Sequence, residues 1–305
     1  MTRIRLATRG SSLALAQTNM AADALRAADP NIEVEVVEVS TQGDQDRITS
    51  LRVLGGQGIF VGAVREALLD GRADVAVHSL KDVPTTPALG LTLGAMLERG
   101  DPRDVFVGRD GRRLAELPAG ARVGTSASRR IALVRALRPD LEVAEIRGNV
   151  DTRIAKVNGG DYDGAILAAA GLDRLGRLGE ASQVFEAEAF LPSPGQGVIA
   201  LECRANDDAA LALLRAIDHA ATRAAAEAER GVLAALGTGC DLAVGAYGRI
   251  DGDLLSVRAM LGGDRDGTEP VFGEATGGLT AAEELGRGLG ERLKTAYEST
   301  YGALS

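Results

Sequence analysis

Apolar and polar positions alternate over RIRLAT, residues 3–8, and predict a β-strand. The run LALAQTNMAADALRAA that follows predicts a helix, capped by Ser11 or Ser12. IEVEVVEV, residues 32–39, has a period of two and predicts a second strand. Residues 41–58 are polar and glycine-rich, long for a structureless connection, and predict a functional lid or a disordered segment. A helix over 59–70 and a buried strand, ADVAVHSL, come next. The strand–helix–strand–helix–strand order is that of a parallel or mixed α/β layer.

The pattern then restarts. VFV (105–107), ARVG (121–124), the helix SRRIALVRALR, the strand LEVAEI, a helix after Gly148 and the strand DGAILAAA predict a second α/β unit. FLPSPGQGVIALECR, residues 190–204, interrupts it and ends in another strand. Beyond about residue 218 an alanine-rich helix leads to strands near 241–249, 254–261 and 270–276, and a helix over 279–298 closes the sequence. This predicts a small α+β third domain.

Composition narrows the class. The 305 residues are 45% hydrophobic and 25% charged, the profile of a globular protein with a real core. No apolar run reaches the length of a membrane span, and MTRIRLATRG has no signal-peptide core, so a cytoplasmic protein is expected. Two cysteines without a CxxC predict no disulfide framework, and two histidines predict no zinc site. A net charge of -9 argues against general nucleic-acid binding. Residues 101–150 nevertheless hold ten arginines against seven acids. Lysine occurs three times in the chain, so the local excess is one of arginine, the residue suited to bidentate carboxylate pairing.

Four motifs carry candidate chemistry. HSLKDVP (78–84) follows a buried strand, where α/β sheets bind ligands. It also reads as a solvated loop with an ordinary ion pair, and His78 as a packed core histidine. GTSASRR (124–130) places Ser126 or Ser128 as cap of a helix that opens with Arg129 and Arg130. Cations in a first turn oppose the helix dipole, so the pair predicts an anionic partner. RGNVDTR (147–153) brackets another helix start with Arg147 and Arg153, and Arg9 lies past the first strand. Arginines thus gather at strand ends facing a predicted interdomain cleft. In LGTGCDLAVG (236–245) Cys240 stands in a glycine-flanked loop that predicts an accessible thiol, or a small residue at a turn; Cys203, within a strand, fits the packing role. The dinucleotide fingerprint, a Walker A sequence and GxSxG are absent. These residues alone leave open an enzyme, a bilobed receptor for a small polyacid with an unmodified Cys240, and a cysteine-nucleophile transferase or hydrolase.

The ordered set ATRGSSLALAQ, GGQGIF, HSLKDVP, ERGDPRD, GTSASRR, RGNVDTR, LAAAGLDRLG, PSPGQG and LGTGC resembles the porphobilinogen deaminase (hydroxymethylbilane synthase) family over almost the whole chain. The resemblance implies a transferase of tetrapyrrole (haem) biosynthesis, a monomer, that joins four porphobilinogen molecules with release of four ammonia. It implies two periplasmic-binding-protein-like α/β domains plus a smaller α+β C-terminal domain. Domain 1 would be residues 1–98 with 199–217, domain 2 residues 99–198 and domain 3 residues 218–305. A dipyrromethane cofactor would be held through a thioether to Cys240 and bound by Lys81, Asp82, Ser126, Arg129 and Arg130. Asp82 would be the catalytic carboxylate, and Arg9, Ser11, Arg147, Arg153 and Arg174 would bind substrate. The chain has Ala127 where the family's second serine is usual, and Asp241 and Ala243 just after the cysteine.

Overall fold

Strand β1 (Thr2–Arg9) forms where the alternation begins, and it pairs in parallel with β2 (Ile32–Val39) along eight consecutive positions. The intervening helix α1 (Ser12–Ala28) presents Ala21, Ala22 and Leu25 to the core, the inward side of an amphipathic repeat. The computed structural model describes residues 2–40, 61–237, 242–263 and 267–304. The segment 41–58, predicted as a lid or disordered stretch, lies outside them, as does Cys240.

Helix α2 (Gly62–Leu69) leads to β3 (Val75–Ser79), which is parallel to β1 and buried over its first four residues. β4 (Leu91–Met96) follows. The order in this sheet is β2-β1-β3-β10-β4, and β10 (Ile199–Arg204) runs antiparallel to both neighbours. Its hydrophobic run IALEC, buried on both faces, is that of a central strand. Helix α6 (Asp208–Arg215) lays Ala210 and Leu214 on the same core. Residues 1–100 and 197–223 form one compact unit.

The second unit comprises residues 101–196 and 224–305. Its five-stranded sheet has the order β7-β6-β8-β5-β9, with β5 (Asp104–Gly108), β6 (Arg122–Gly124), β7 (Glu142–Ala144), β8 (Gly164–Ala168) and β9 (Gln183–Val184). β6, β7 and β8 are mutually parallel, and β5 is antiparallel to β8. Both five-stranded sheets therefore have four strands running in one direction and one, β10 or β5, reversed between them. Helices α3 (Ser128–Leu137), α4 (Val150–Asn158) and α5 (Ala169–Arg174) each follow one of the parallel strands.

The C-terminal part of this unit is the expected α+β layer. β11 (Val244–Asp251), β12 (Leu254–Leu261) and β13 (Val271–Gly278) form an antiparallel meander. Helices α7 (Ala220–Leu236) and α8 (Ala282–Tyr301) share its core through Val232, Leu236, Leu289 and Leu293. The two helices approach so closely that a Cβ on Gly286 would lie 1.9 Å from the Ala228 carbonyl oxygen. Gly286→Ala is therefore expected to destabilise the protein by about 1–3 kcal/mol through backbone overlap. Thermal unfolding checks this, and an unchanged Tm would show that the helices separate without cost.

Candidate functional site: two sheet edges built from strand ends

In the first unit, parallel neighbours β1 and β3 bring their carboxyl ends to one sheet edge. Four predicted residues meet there. Arg9 ends β1, and Ser11 caps α1, its Oγ accepting from the Ala14 N–H at 3.3 Å. Lys81 and Asp82 occupy a single 3-10 turn, Leu80–Asp82, directly after β3. The turn is held from beneath. Leu80 is buried and donates its N–H to Val198 O at 3.0 Å, and Ser79 Oγ exchanges hydrogen bonds with the Gln17 amide at 2.8 and 3.2 Å. Lys81 and Asp82 remain half-buried above it.

His78 is the packed histidine the sequence suggests. Its Nε2 lies 3.1 Å from the buried Glu202 carboxylate, which also takes a two-pronged grip from Arg65. Burial pushes the Glu202 carboxyl up, and the His78 and Arg65 hydrogen bonds more than reverse this. Cys203, beside it, is buried in β10 and its thiol is pushed up to about 11, chiefly by burial. That is an inert, structural sulfur.

The second unit repeats the construction. Parallel β6, β7 and β8 end at one edge, and the segments leaving them carry Ser126, Arg129, Arg130, Arg147, Arg153 and Arg174. Asn149 caps α4, accepting from the Thr152 N–H at 2.9 Å, and Arg153 Nε donates to Gly148 O at 2.8 Å. Arg153 is half-buried, and its pKa falls to about 10 through burial and through the charges of Arg130 and Arg147. Burial also lowers Arg174, with Asp173 opposing. Like charges held this closely form a site suited to an anion, and the edge suits a ligand with several carboxylates.

Two expectations for GTSASRR change. Neither serine caps the helix: the N-cap position falls on Ala127, which has no side-chain cap, and Ser128 is the first helical residue. Ser126 Oγ instead donates to Ile146 O at 2.6 Å, tying this loop to the RGNVDTR loop. A hydroxyl has one proton to give, so Ser126 keeps this tie only by not donating to a ligand carboxylate.

The anion demanded by Arg129 and Arg130 is supplied inside the protein. Asp104, the first residue of β5, is fully buried; its Oδ2 accepts from Arg129 Nη1 and its Oδ1 from Arg130 Nη2, both at 2.7 Å. Gln196 Nε2 adds a third bond to Oδ1 at 2.9 Å. Burial would push the Asp104 carboxyl up, yet the two guanidiniums hold it well below the usual carboxylate range. Arg129 and Arg130 are only 4% and 6% exposed. Arg130 Nε is buried without a hydrogen-bond partner, an orphan donor on the side chain whose charge reaches Arg153. The electrostatic demand of Arg129 and Arg130 is legible in the sequence, whereas Asp104 is marked there only as an aspartate heading the apolar strand DVFVG.

Around Cys240, the described residues fix the chain on both sides. α7 ends at Leu236 and is followed by Gly237, with φ at 86°, and Ala243 is buried among Phe190, Leu191 and Met260 before β11 begins. The small side chain at position 243 fits this core. Among the described residues, no group of three or more metal-ligating side chains is gathered, and no helix is long and apolar enough to cross a membrane.

Residues 4–212 match the family model "Porphobilinogen deaminase, dipyromethane cofactor binding domain", and residues 224–295 match "Porphobilinogen deaminase, C-terminal domain". A porphobilinogen deaminase of Roseiflexus sp. (strain RS-1) is 46% identical over 288 residues, 94% of each chain. Among solved structures, a YaeC-family lipoprotein from Enterococcus faecalis aligns with a TM-score of 0.44 at 15% identity, over 72% of this chain and 92% of its own. The methionine-binding protein MetQ aligns with a TM-score of 0.46 at 12% identity, over 70% and 88%.

The uncapped start of α3 gives a local test. Ala127 already has extended N-cap backbone angles, so Ala127→Ser is expected to add about 0.5–1 kcal/mol of stability. A rise in Tm checks it, and a fall would show that the site cannot accept the hydroxyl.

Proposed function

The chain belongs to the porphobilinogen deaminase family, and on that footing we propose which residues carry the work. The activity of the family is the deaminative, head-to-tail joining of four porphobilinogen molecules into 1-hydroxymethylbilane, with four ammonia released, on a dipyrromethane cofactor. The protein is accordingly a transferase of tetrapyrrole biosynthesis. We place it in the cytoplasm as a monomer, with no nucleic-acid partner. We further propose three modules within the two units, 1–98 with 199–217, 99–198 and 218–305.

The residues suit such a cofactor. A pyrrole chain with an acetate and a propionate on every ring brings several carboxylates, and the edge of the second unit offers Arg147, Arg153 and Arg174. The gathering of Arg147, Arg153 and Arg174 on segments that leave neighbouring parallel strands is the observation that carries this reading; the lowering of Arg153, first by burial and then by Arg130 and Arg147, agrees with it, because a bound carboxylate relieves it. Cys240 is the proposed thioether anchor: Cys203 is buried with a raised pKa, so Cys240 is the thiol left for the linkage. When bound, the dipyrromethane supplies the primer and its nucleophilic pyrrole carbon.

Asp82 is the proposed catalytic carboxylate. Departure of ammonia from the aminomethyl carbon of porphobilinogen takes the bonding pair with it and leaves a pyrrole that shares a positive charge. A carboxylate fixed near the pyrrole N–H stabilises that charge, and it accepts the proton released when aromaticity returns. The 3-10 turn after β3 holds Asp82 in place for this without reorganisation. Lys81 holds cofactor carboxylates, and Arg9 and Ser11 bind incoming substrate from the neighbouring strand end. Ser126 and Arg129 act on the cofactor through the residues they position, Arg130 through its charge.

Three outcomes follow. Purified protein should exceed its sequence mass by two porphobilinogen units less two ammonia, located on Cys240 and absent from Cys240→Ser. Asp82→Asn should retain that mass and lose roughly 100-fold or more in turnover; turnover near that of the unsubstituted enzyme would remove Asp82 from the role. Arg153 is charged below its pKa of about 10 and loses that charge above it. KM for porphobilinogen should therefore rise as pH approaches 10, and Arg153→Gln should show a high KM without this rise. A KM that climbs identically in the variant assigns the effect elsewhere.

A further inference from the structure

We infer that Asp104 is a positioning residue: its carboxylate fixes Arg129 and Arg130 in separate orientations, so that Arg130 charges the cofactor-binding edge and Arg129 seats the strand that follows Cys240. The inference rests on the reading of Cys240 as the cofactor anchor.

Each oxygen of Asp104 takes one guanidinium, Arg129 on Oδ2 and Arg130 on Oδ1. Each guanidinium then has a second anchor on a different segment. Arg129 Nη1 donates to Leu191 O at 2.5 Å, and Arg130 Nη1 donates to Ile166 O at 2.8 Å, on β8. Gln196 holds the carboxylate itself and also donates to Pro102 O at 2.7 Å. Both arginine side chains are thereby confined to one orientation before any ligand arrives, which is preorganisation in the electrostatic sense.

The charge count gives the cluster its use. Two cations meet one anion, so one positive charge within it is left over. Arg130 stands in the first turn of α3, just past the end of β6, and so carries that charge at the edge that also holds Arg153, whose pKa is lowered first by burial and then by Arg130 and Arg147. Arg129 faces another way. Its methylene stem lies where Gly245 of β11 leaves room; a Cβ there would be 3.0 Å from Arg129 Cδ and 2.9 Å from Leu191 Cβ. The neighbouring Ala246 N–H donates to Pro192 O at 3.0 Å. Arg129 is thus wedged between the 191–192 segment and the strand that starts four residues after Cys240. A core that needed only stability would be served as well by apolar side chains, because burying ions is costly. Asp104 pairs with Ala168 at the end of β8 but is fully buried, so it acts through the two arginines and not on a ligand directly.

The test uses full-length Asp104→Asn, Asp104→Glu and Gln196→Leu beside the unsubstituted protein. Intact mass gives the fraction carrying the adduct as purified, and the rate at which the remaining apo fraction gains it when porphobilinogen is added; Tm is read in parallel. Asp104→Asn removes the charge at nearly constant shape and should load about 10-fold more slowly or worse. Asp104→Glu retains the charge and shifts it by one methylene, and should load at an intermediate rate. Gln196→Leu should slow loading by a few-fold. A purely structural Asp104 would lower Tm while the folded molecules load at the unsubstituted rate, and that result overturns the inference. Should Asp104→Asn not fold, normal loading by both other variants overturns it equally. If the unsubstituted protein gains no mass on Cys240, the anchor reading has failed, a result distinct from equal loading in all four proteins.

Discussion

A carboxylate sealed from water has to be neutralised by its neighbours, and Asp104 is neutralised twice. That arrangement ties several segments of the second unit together. It draws the first turn of α3 against the start of β5, and it brings in β8 through Ile166, the 191–196 segment through Leu191 and Gln196, and β11 through the stem of Arg129. The cations placed at a helix start against its dipole are tolerated because this anion lies beneath them. Arg147 and Arg153 lie on the neighbouring loop and helix start, which the Ser126–Ile146 hydrogen bond ties to the loop before α3.

The two units solve the same problem with different chemistry. Each ends parallel strands at a common edge, where backbone geometry leaves loops and helix starts free to meet a ligand. The first unit furnishes a carboxylate and a lysine on a short turn held by Leu80 and Ser79. The second furnishes arginines. An acidic protein thus collects arginines at the strand ends of its second unit, and its inert thiol, Cys203, lies inside a sheet. In the proposed division of labour, Cys240 reacts once during assembly and Asp82 serves every round.

Much of this was legible in the sequence because periodicity reports burial. The period-two run at 32–39 became β2 without adjustment, and the IALECR end of 190–204 became the antiparallel strand β10. The strand ends carrying HSLKDVP and RGNVDTR followed from the same reading. Pairing across the chain was not legible. Nothing local in GTSASRR says that Ser126 turns to Ile146, that the cap falls on Ala127, or that an aspartate 25 residues upstream answers Arg129. Those are long-range choices between hydrogen-bond partners, and residue type alone leaves several open. The family resemblance named the site residues; the fold adds that Arg129 and Arg130 are buried against Asp104.

The central claim is that Arg129 stays committed to Asp104 and Leu191 while Arg147 and Arg153 take the ligand carboxylates. A crystal structure of the protein loaded with porphobilinogen tests it most directly. The account predicts pyrrole-chain carboxylates within hydrogen-bonding distance of Arg147 and Arg153, with both Asp104 oxygens still bound to Arg129 and Arg130. A ligand carboxylate seated on an Arg129 that has left Asp104 would contradict it.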